Sequence, residues 1–131
     1  MANFPVPADV REYITDHIDS VAELEALVLT RRDPQIEWDV SALAERLYIG
    51  REQAGEVALK LCSLGITVPT GRDPVTYQYR PARPSLDALV GEVVEAYSKY
   101  LIPVTNLIHS KPQPKVQQFA EAFKLRKPED D

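Results

Sequence analysis

Apolar residues recur at intervals of three and four along the first half of the chain, the period of helices with one buried face. Val10, Tyr13, Ile14, His17 and Ile18 fall on one such face, and Asp9 with Glu12 three residues on offers a capping box to open it. Ser20 and Glu23 repeat the box ahead of a second stripe, Val21, Leu24, Leu27 and Val28; Arg31 and Arg32 suit a last turn and Pro34 stops the helix. "QIEW" is β-prone but too short to stand alone. Asp39 then caps a helix with Val40, Leu43, Ala44 and Leu47 inward, "YIG" breaks it, and a further helix over 51–64 turns Ala54, Val57, Ala58, Leu61, Cys62 and Leu64 inward. Gly65 tolerates positive φ and suits the position after a helix end. From there the period changes to two. Ile66 and Val68 alternate in one strand and Val75, Tyr77 and Tyr79 in the next, with Thr76, Gln78 and Arg80 on its other face, and "PTGRDP" supplies the turn of a hairpin.

After "RPARP" the pattern becomes a heptad seam. Leu86, Val90, Val93, Tyr97, Tyr100, Val104 and Leu107 alternate steps of four and three, behind Ser85 as a cap, and Leu89, Val94, Leu101 and Ile108 widen the stripe. Pro103 inside this pattern costs about 3 kcal/mol in an ideal helix; because the apolar register runs across it, the expectation is one long kinked helix. Near the end, Val116, Phe119, Ala120 and Phe123 share a short amphipathic face, and "RKPEDD" reads as a disordered, solvated tail. The expected fold class is mainly α with a small β-hairpin. It divides into residues 1–82, a helix pair and the helices and hairpin that follow it, and residues 83–131, a helical extension. The seam, Leu86 to Leu107, has two readings. It joins two copies into a homodimer, which its large apolar face favours, or it folds back over Tyr13, Ile14 and Ile18.

Composition narrows the chemistry. The formal charge is −5, and residues 1–82 hold eight Lys or Arg against thirteen Asp or Glu, which argues against indiscriminate coating of nucleic acid. The single cysteine, Cys62, excludes an internal disulfide and sits at helical spacing among apolar residues, the pattern of a buried inert thiol in a reducing compartment. No basic start leads into an apolar core at the N-terminus, and no apolar run approaches the ~20 residues that span a bilayer. The expectation is a cytoplasmic protein with no membrane partner. His17 and His109, the only histidines, are far apart; no metal-ligand spacing and no glycine-rich phosphate loop is present. The acidic groups Asp19, Glu23, Glu25 and Glu45, Glu52, Glu56 read as solvated faces. Neither a cofactor nor an enzymatic activity is expected.

The order helix, short strand, helix, tight turn, helix, hairpin is carried by specific residues in "IEWDVSALAERLYIGREQAGEVALKLCSLGIT": Trp38 before the cap Asp39, Leu43-Ala44 within the helix, Tyr48-Ile49-Gly50 in the turn, and Leu61 to Ile66 at the close. Over residues 20–82 this resembles the winged helix-turn-helix domain of small bacterial transcriptional regulators, with no motif that assigns a subfamily. The resemblance implies double-stranded DNA as partner, with the helix over 51–64 in the major groove and the hairpin as a wing against phosphate or minor groove. It makes Arg51, Gln53 and Lys60 on the helix, and Arg72 and Arg80 with Arg83 around the hairpin, the candidate DNA contacts. A homodimer would space two such helices about 34 Å apart, matching successive grooves. Glu52 and Glu56 lie on the same outward arc and oppose phosphate. The alternative is an acidic winged-helix module that binds protein instead, through an apolar patch around Phe119, Phe123 and the outer face of the C-terminal helix.

Overall fold

A computed structural model of the chain describes residues 5–110. Its elements are α1 (Ala8–His17), α2 (Val21–Arg32), β1 (Trp38–Asp39), α3 (Val40–Leu47), α4 (Arg51–Ser63), β2 (Thr67–Thr70), β3 (Thr76–Tyr79), α5 (Pro84–Lys99) and α6 (Leu101–His109). The amphipathic segment around Phe119 and Phe123 and the acidic tail lie outside the described residues.

Most boundaries follow local chemistry. Ser20 Oγ accepts the Glu23 amide at 3.2 Å, and Glu23 Oε1 accepts the amide of Asp19 at 2.8 Å, so the box closes one residue further out than Ser20's own N–H. Asp39 Oδ1 accepts the Ala42 amide at 2.7 Å. Gly65 stands at φ +78°, and the amides of Gly65 and Ile66 satisfy the carbonyls of Cys62 and Leu61. Two expected caps are corrected. Pro7, not Asp9, precedes α1, and Asp9 Oδ1 accepts the adjacent Val10 amide at 2.9 Å. Arg83, not Ser85, precedes α5, because Pro84 fits the first helical position, where its missing N–H forfeits nothing.

The sheet is antiparallel with β3 in the centre, order β1-β3-β2; Trp38 lies opposite Tyr77, and Thr67 opposite Tyr79. Of "QIEW" only Trp38 enters a strand, which continues into Asp39 and forms by pairing with a segment some forty residues away. Tyr77 and Tyr79 are buried as their alternation predicts. The first strand departs from its pattern. Ile66 still belongs to the close of α4 and is buried with the helices, β2 begins at Thr67, also buried, and Val68 is half-buried.

Two apolar clusters hold the fold. The larger joins Val10, Ile14 and Ile18 of the α1 region, Leu24 and Leu27 of α2, Val57 and Leu61 of α4, and the inner faces of α5 and α6. The smaller lies under the sheet: Leu29, Trp38, Leu43, Ala44, Ala54, Ala58 and Tyr77. Leu47 and Ile49 pack against both. The heptad stripe is therefore occupied within its own chain. Leu86, Val90, Val93, Tyr97 and Val104 are buried in the larger cluster, and Tyr100 and Leu107 pack against it. Of the two readings this is the one that folds back over Tyr13, Ile14 and Ile18, and it corrects the expectation that the seven residues face a second copy: α1 and α2 present an apolar face, and the short "RPARP" connection delivers α5 onto it. Pro103 divides the segment instead of kinking it. Its ring excludes the helical position of the carbonyl four residues back, that of Lys99. The break falls at Tyr100 (φ −127°, ψ 59°), which ends α5 and caps α6, leaving Pro103 in a first turn where no N–H is needed.

Two tyrosines bind this interior to its rim. Tyr97 donates its hydroxyl to Glu25 Oε2, and Tyr79 donates to Asp87 Oδ1 at 2.5 Å. Burial and then the bond to Glu25 push the Tyr97 phenol up to about 12; burial and then Asp87 raise Tyr79, and burial raises Tyr13. A phenol raised in the folded state contributes stability that is intact below the unfolded value of about 10 and is lost as the pH climbs through the folded one. Urea midpoints are therefore expected to hold level to about pH 9 and to fall between about pH 10 and pH 12. Each phenol that keeps its proton steepens the loss by up to about 1.4 kcal/mol per pH unit. Tyr97→Phe should flatten that limb; a midpoint insensitive to pH across this window would refute the assignment.

Candidate nucleic-acid interface

The turn between α3 and α4 sets what α4 presents. Tyr48 ends α3 in the left-handed region (φ 58°, ψ 46°), its amide and that of Ile49 both reaching the carbonyl of Ala44. Ile49 is thereby turned inward between the two clusters, and Gly50 is the extended cap residue before α4. Ala44, Ala54 and Ala58 are buried together, small side chains that let helices approach closely. With Ala54, Val57, Ala58 and Leu61 inward, the opposite arc of α4 is exposed: Arg51, Glu52, Gln53, Glu56 and Leu59. At about 100° per residue, Glu52, Glu56 and Leu59 occupy the middle of the arc and Arg51 and Gln53 its two margins. Leu59, 63% exposed, is an outward residue that the spacing of charges did not single out.

Lys60 falls on the same side of α4 but is half-buried and paired, which corrects its place among the candidate contacts. Its Nζ lies 2.8 Å from Asp19 Oδ2 and 3.3 Å from Glu23 Oε1, at the corner between α1 and α2. Burial works against its charge, but the bonds and charges of the two carboxylates outweigh it and raise its pKa. Lys60 is a strut between the N-terminal helices and α4. The reason is its position along the helix: it lies in the last turn of α4, where Asp19 and Glu23 of the α1–α2 corner reach it.

The wing carries the remaining candidates at its two ends. Arg72 is exposed in the tip, where Gly71 adopts φ +69° and Thr76 Oγ1 donates to the carbonyl of Thr70 at 2.7 Å. Arg80 is exposed at the base, its amide on the carbonyl of Ile66 and its guanidinium donating to Gln78 Oε1 at 3.2 Å. Arg83 precedes α5 and is exposed. Arg51 and Gln53 thus flank the exposed arc of α4 on its two sides, Arg72 stands apart at the wing tip, and Arg80 sits at the other end of the wing. Arg46, on α3, adds an exposed cation that the sequence reading passed over; its guanidinium lies 5.4 Å from the centre of the Trp38 ring. Tyr48, 94% exposed, is likewise a residue that the reading treated only as part of a break.

Cys62 is half-buried rather than enclosed, its Sγ 3.4 Å from Thr67 Oγ1. His17 is exposed with its ring against Tyr13, and His109 ends α6. Among the described residues no group of three or more His, Cys, Asp or Glu could hold a metal ion, and no helix is long and apolar enough to cross a membrane.

No family model matches the chain, and no curated protein matches it in sequence. Among solved structures, it is similar to a transcriptional regulator, Tm0710, from Thermotoga maritima: 14% identity, TM-score 0.52, over 95% of this chain and 85% of that one. It is also similar to a MarR family protein from Bacillus stearothermophilus: 15% identity, TM-score 0.51, over 94% of this chain and 84% of that one. At these identities the likeness is one of fold, and with the element order above it makes this chain a winged helix-turn-helix protein.

Proposed function

We propose that this winged helix-turn-helix protein is a DNA-binding transcriptional regulator, with α4 entering the major groove and the wing lying on the flanking backbone. The observation that carries the reading is the exposed arc of α4, with Arg51 and Gln53 at its two margins, together with Arg72 exposed at the wing tip. Arg can read guanine and Gln adenine through paired hydrogen bonds, and an exposed arginine at a hairpin tip suits phosphate. That the two similar structures are called a transcriptional regulator and a MarR family protein supports the same reading. The test is a mobility shift with duplex from the flanks of the protein's own gene, repeated as salt is raised. Affinity should fall linearly in log–log form as counterions are released. No shift at the lowest salt would reject the reading.

The regulator acts as a dimer in this proposal. Since the heptad stripe is buried in cis, a second copy would meet the outer face of α6, where Leu101 and Ile102 are 50% and 64% exposed. Light scattering at micromolar concentration should give twice the chain mass, and a single-chain mass there would remove the dimer.

A second reading has its own support. Glu52, Glu56 and Leu59 at the centre of the α4 arc oppose phosphate and suit an apolar, basic protein surface. It predicts no retention on duplex even at low salt.

A further inference from the structure

We propose that Tyr48 is a DNA-backbone contact, its hydroxyl donating to a phosphate beside the groove that α4 enters. The inference rests on the DNA-binding reading above and adds to it a residue outside α4 and the wing.

The turn requires a left-handed residue at position 48. That conformation brings the amides of Tyr48 and Ile49 onto one carbonyl, Ala44's, and turns Ile49 into the interior. The turn does not require tyrosine. With a Cβ, the left-handed conformation is strained, and glycine adopts it freely. Gly65 and Gly71 fill the two other described positions of this kind in the chain. At position 48 a large aromatic stands in the strained conformation while 94% exposed, so burial of the ring returns almost nothing to the fold. A side chain held outward at a conformational cost, with almost none of its surface covered, is positioned for something outside its own chain.

Placement and chemistry name the partner. The turn lies between α3 and the outward arc of α4. When the second helix of such a pair occupies a major groove, the first crosses the backbone and the turn between them borders it. Tyrosine suits that border: it is among the side chains that donate to phosphate oxygens, and its ring can lie against sugar. Such a contact carries no sequence information, so it should contribute equally on any duplex.

The experiment compares the full chain with Tyr48→Gly and Tyr48→Phe, by thermal melting and by titration of a mixed-sequence duplex at low salt, with Arg51→Ala as a reference for groove contact. Tyr48→Gly should raise Tm by about 2–4 °C by relieving the strain. The same variant should bind duplex about three- to tenfold more weakly. Tyr48→Phe should lose a comparable share of affinity, because it lacks the donor. Opposite movement of stability and affinity separates this role from a structural one, which would lower both. If the parent protein binds duplex and Arg51→Ala weakens it while Tyr48→Gly or Tyr48→Phe binds as the parent does, the Tyr48 contact is overturned and the DNA reading stands. If Tyr48→Gly lowers Tm, the premise of uncompensated strain is overturned. If the parent protein binds no duplex, both fall together.

Discussion

Val93→Asp is expected to leave the chain without a cooperative thermal transition. Val93 is fully buried in the cluster where α5 meets α1, α2 and α4. The substitution forfeits the burial of an apolar side chain, about 1.5–3 kcal/mol, and places a carboxylate where no cation of the cluster can reach it. An unpaired buried charge alone costs about 3–5 kcal/mol. The sum approaches the whole stability of a small domain, about 5–15 kcal/mol. Leu59→Lys, on the exposed arc of α4, should shift stability by no more than about 0.5 kcal/mol. Val93→Ala supplies a folded intermediate case, expected to cost about 2 kcal/mol in urea. The contrast decides what the heptad stripe is for. Were it a seam between copies, Val93→Asp would yield a folded single chain with its helical circular dichroism intact, and that outcome would sink the packing described above.

How far the sequence speaks follows the range of the forces involved. Ser20 with Glu23, Asp39 and Gly65 were legible because each acts within five residues, and a cap or a left-handed glycine needs no distant partner. The helices of the winged core were legible because their period is intrinsic to the chain. The apolar stripe of α5 and α6 was equally visible, but burial has no direction: a heptad pattern says that the face must be covered and not by what. The cover proved to be α1 and α2, more than fifty residues earlier. Pro103 announced a break, yet its clash acts four residues upstream, so the joint lies at Tyr100. At the candidate interface, Arg51, Gln53 and Arg72 were readable as polar positions opposite a buried face or in a turn. Lys60 was not, since Asp19 lies forty-one residues away and nothing local marks the pair. Tyr48 escaped for another reason: a glycine there would have signalled the left-handed turn, and a tyrosine hides it.

Arg51→Ala with Arg72→Ala is expected to weaken duplex binding by roughly seventyfold to about ten-thousandfold at low salt. An arginine on a base edge is worth about 1–3 kcal/mol and a charged bond to phosphate about 1.5–3 kcal/mol. One residue begins α4 and the other lies at the wing tip, with no shared partner, so their contributions should add nearly fully. The salt dependence carries the mechanism. Removing a phosphate-neutralising cation lowers the log–log slope by about one, whereas removing a base contact changes affinity with little change in slope. Arg72→Ala should therefore flatten the slope, and Arg51→Ala should relax the preference between duplex sequences. Lys60→Ala should do neither, because its charge is already balanced by Asp19 and Glu23; it should lower stability instead. A double variant that keeps the parent's affinity and slope would place the DNA-binding surface elsewhere on the chain. It would return the acidic centre of α4, Glu52 and Glu56, to the role of a protein-facing surface.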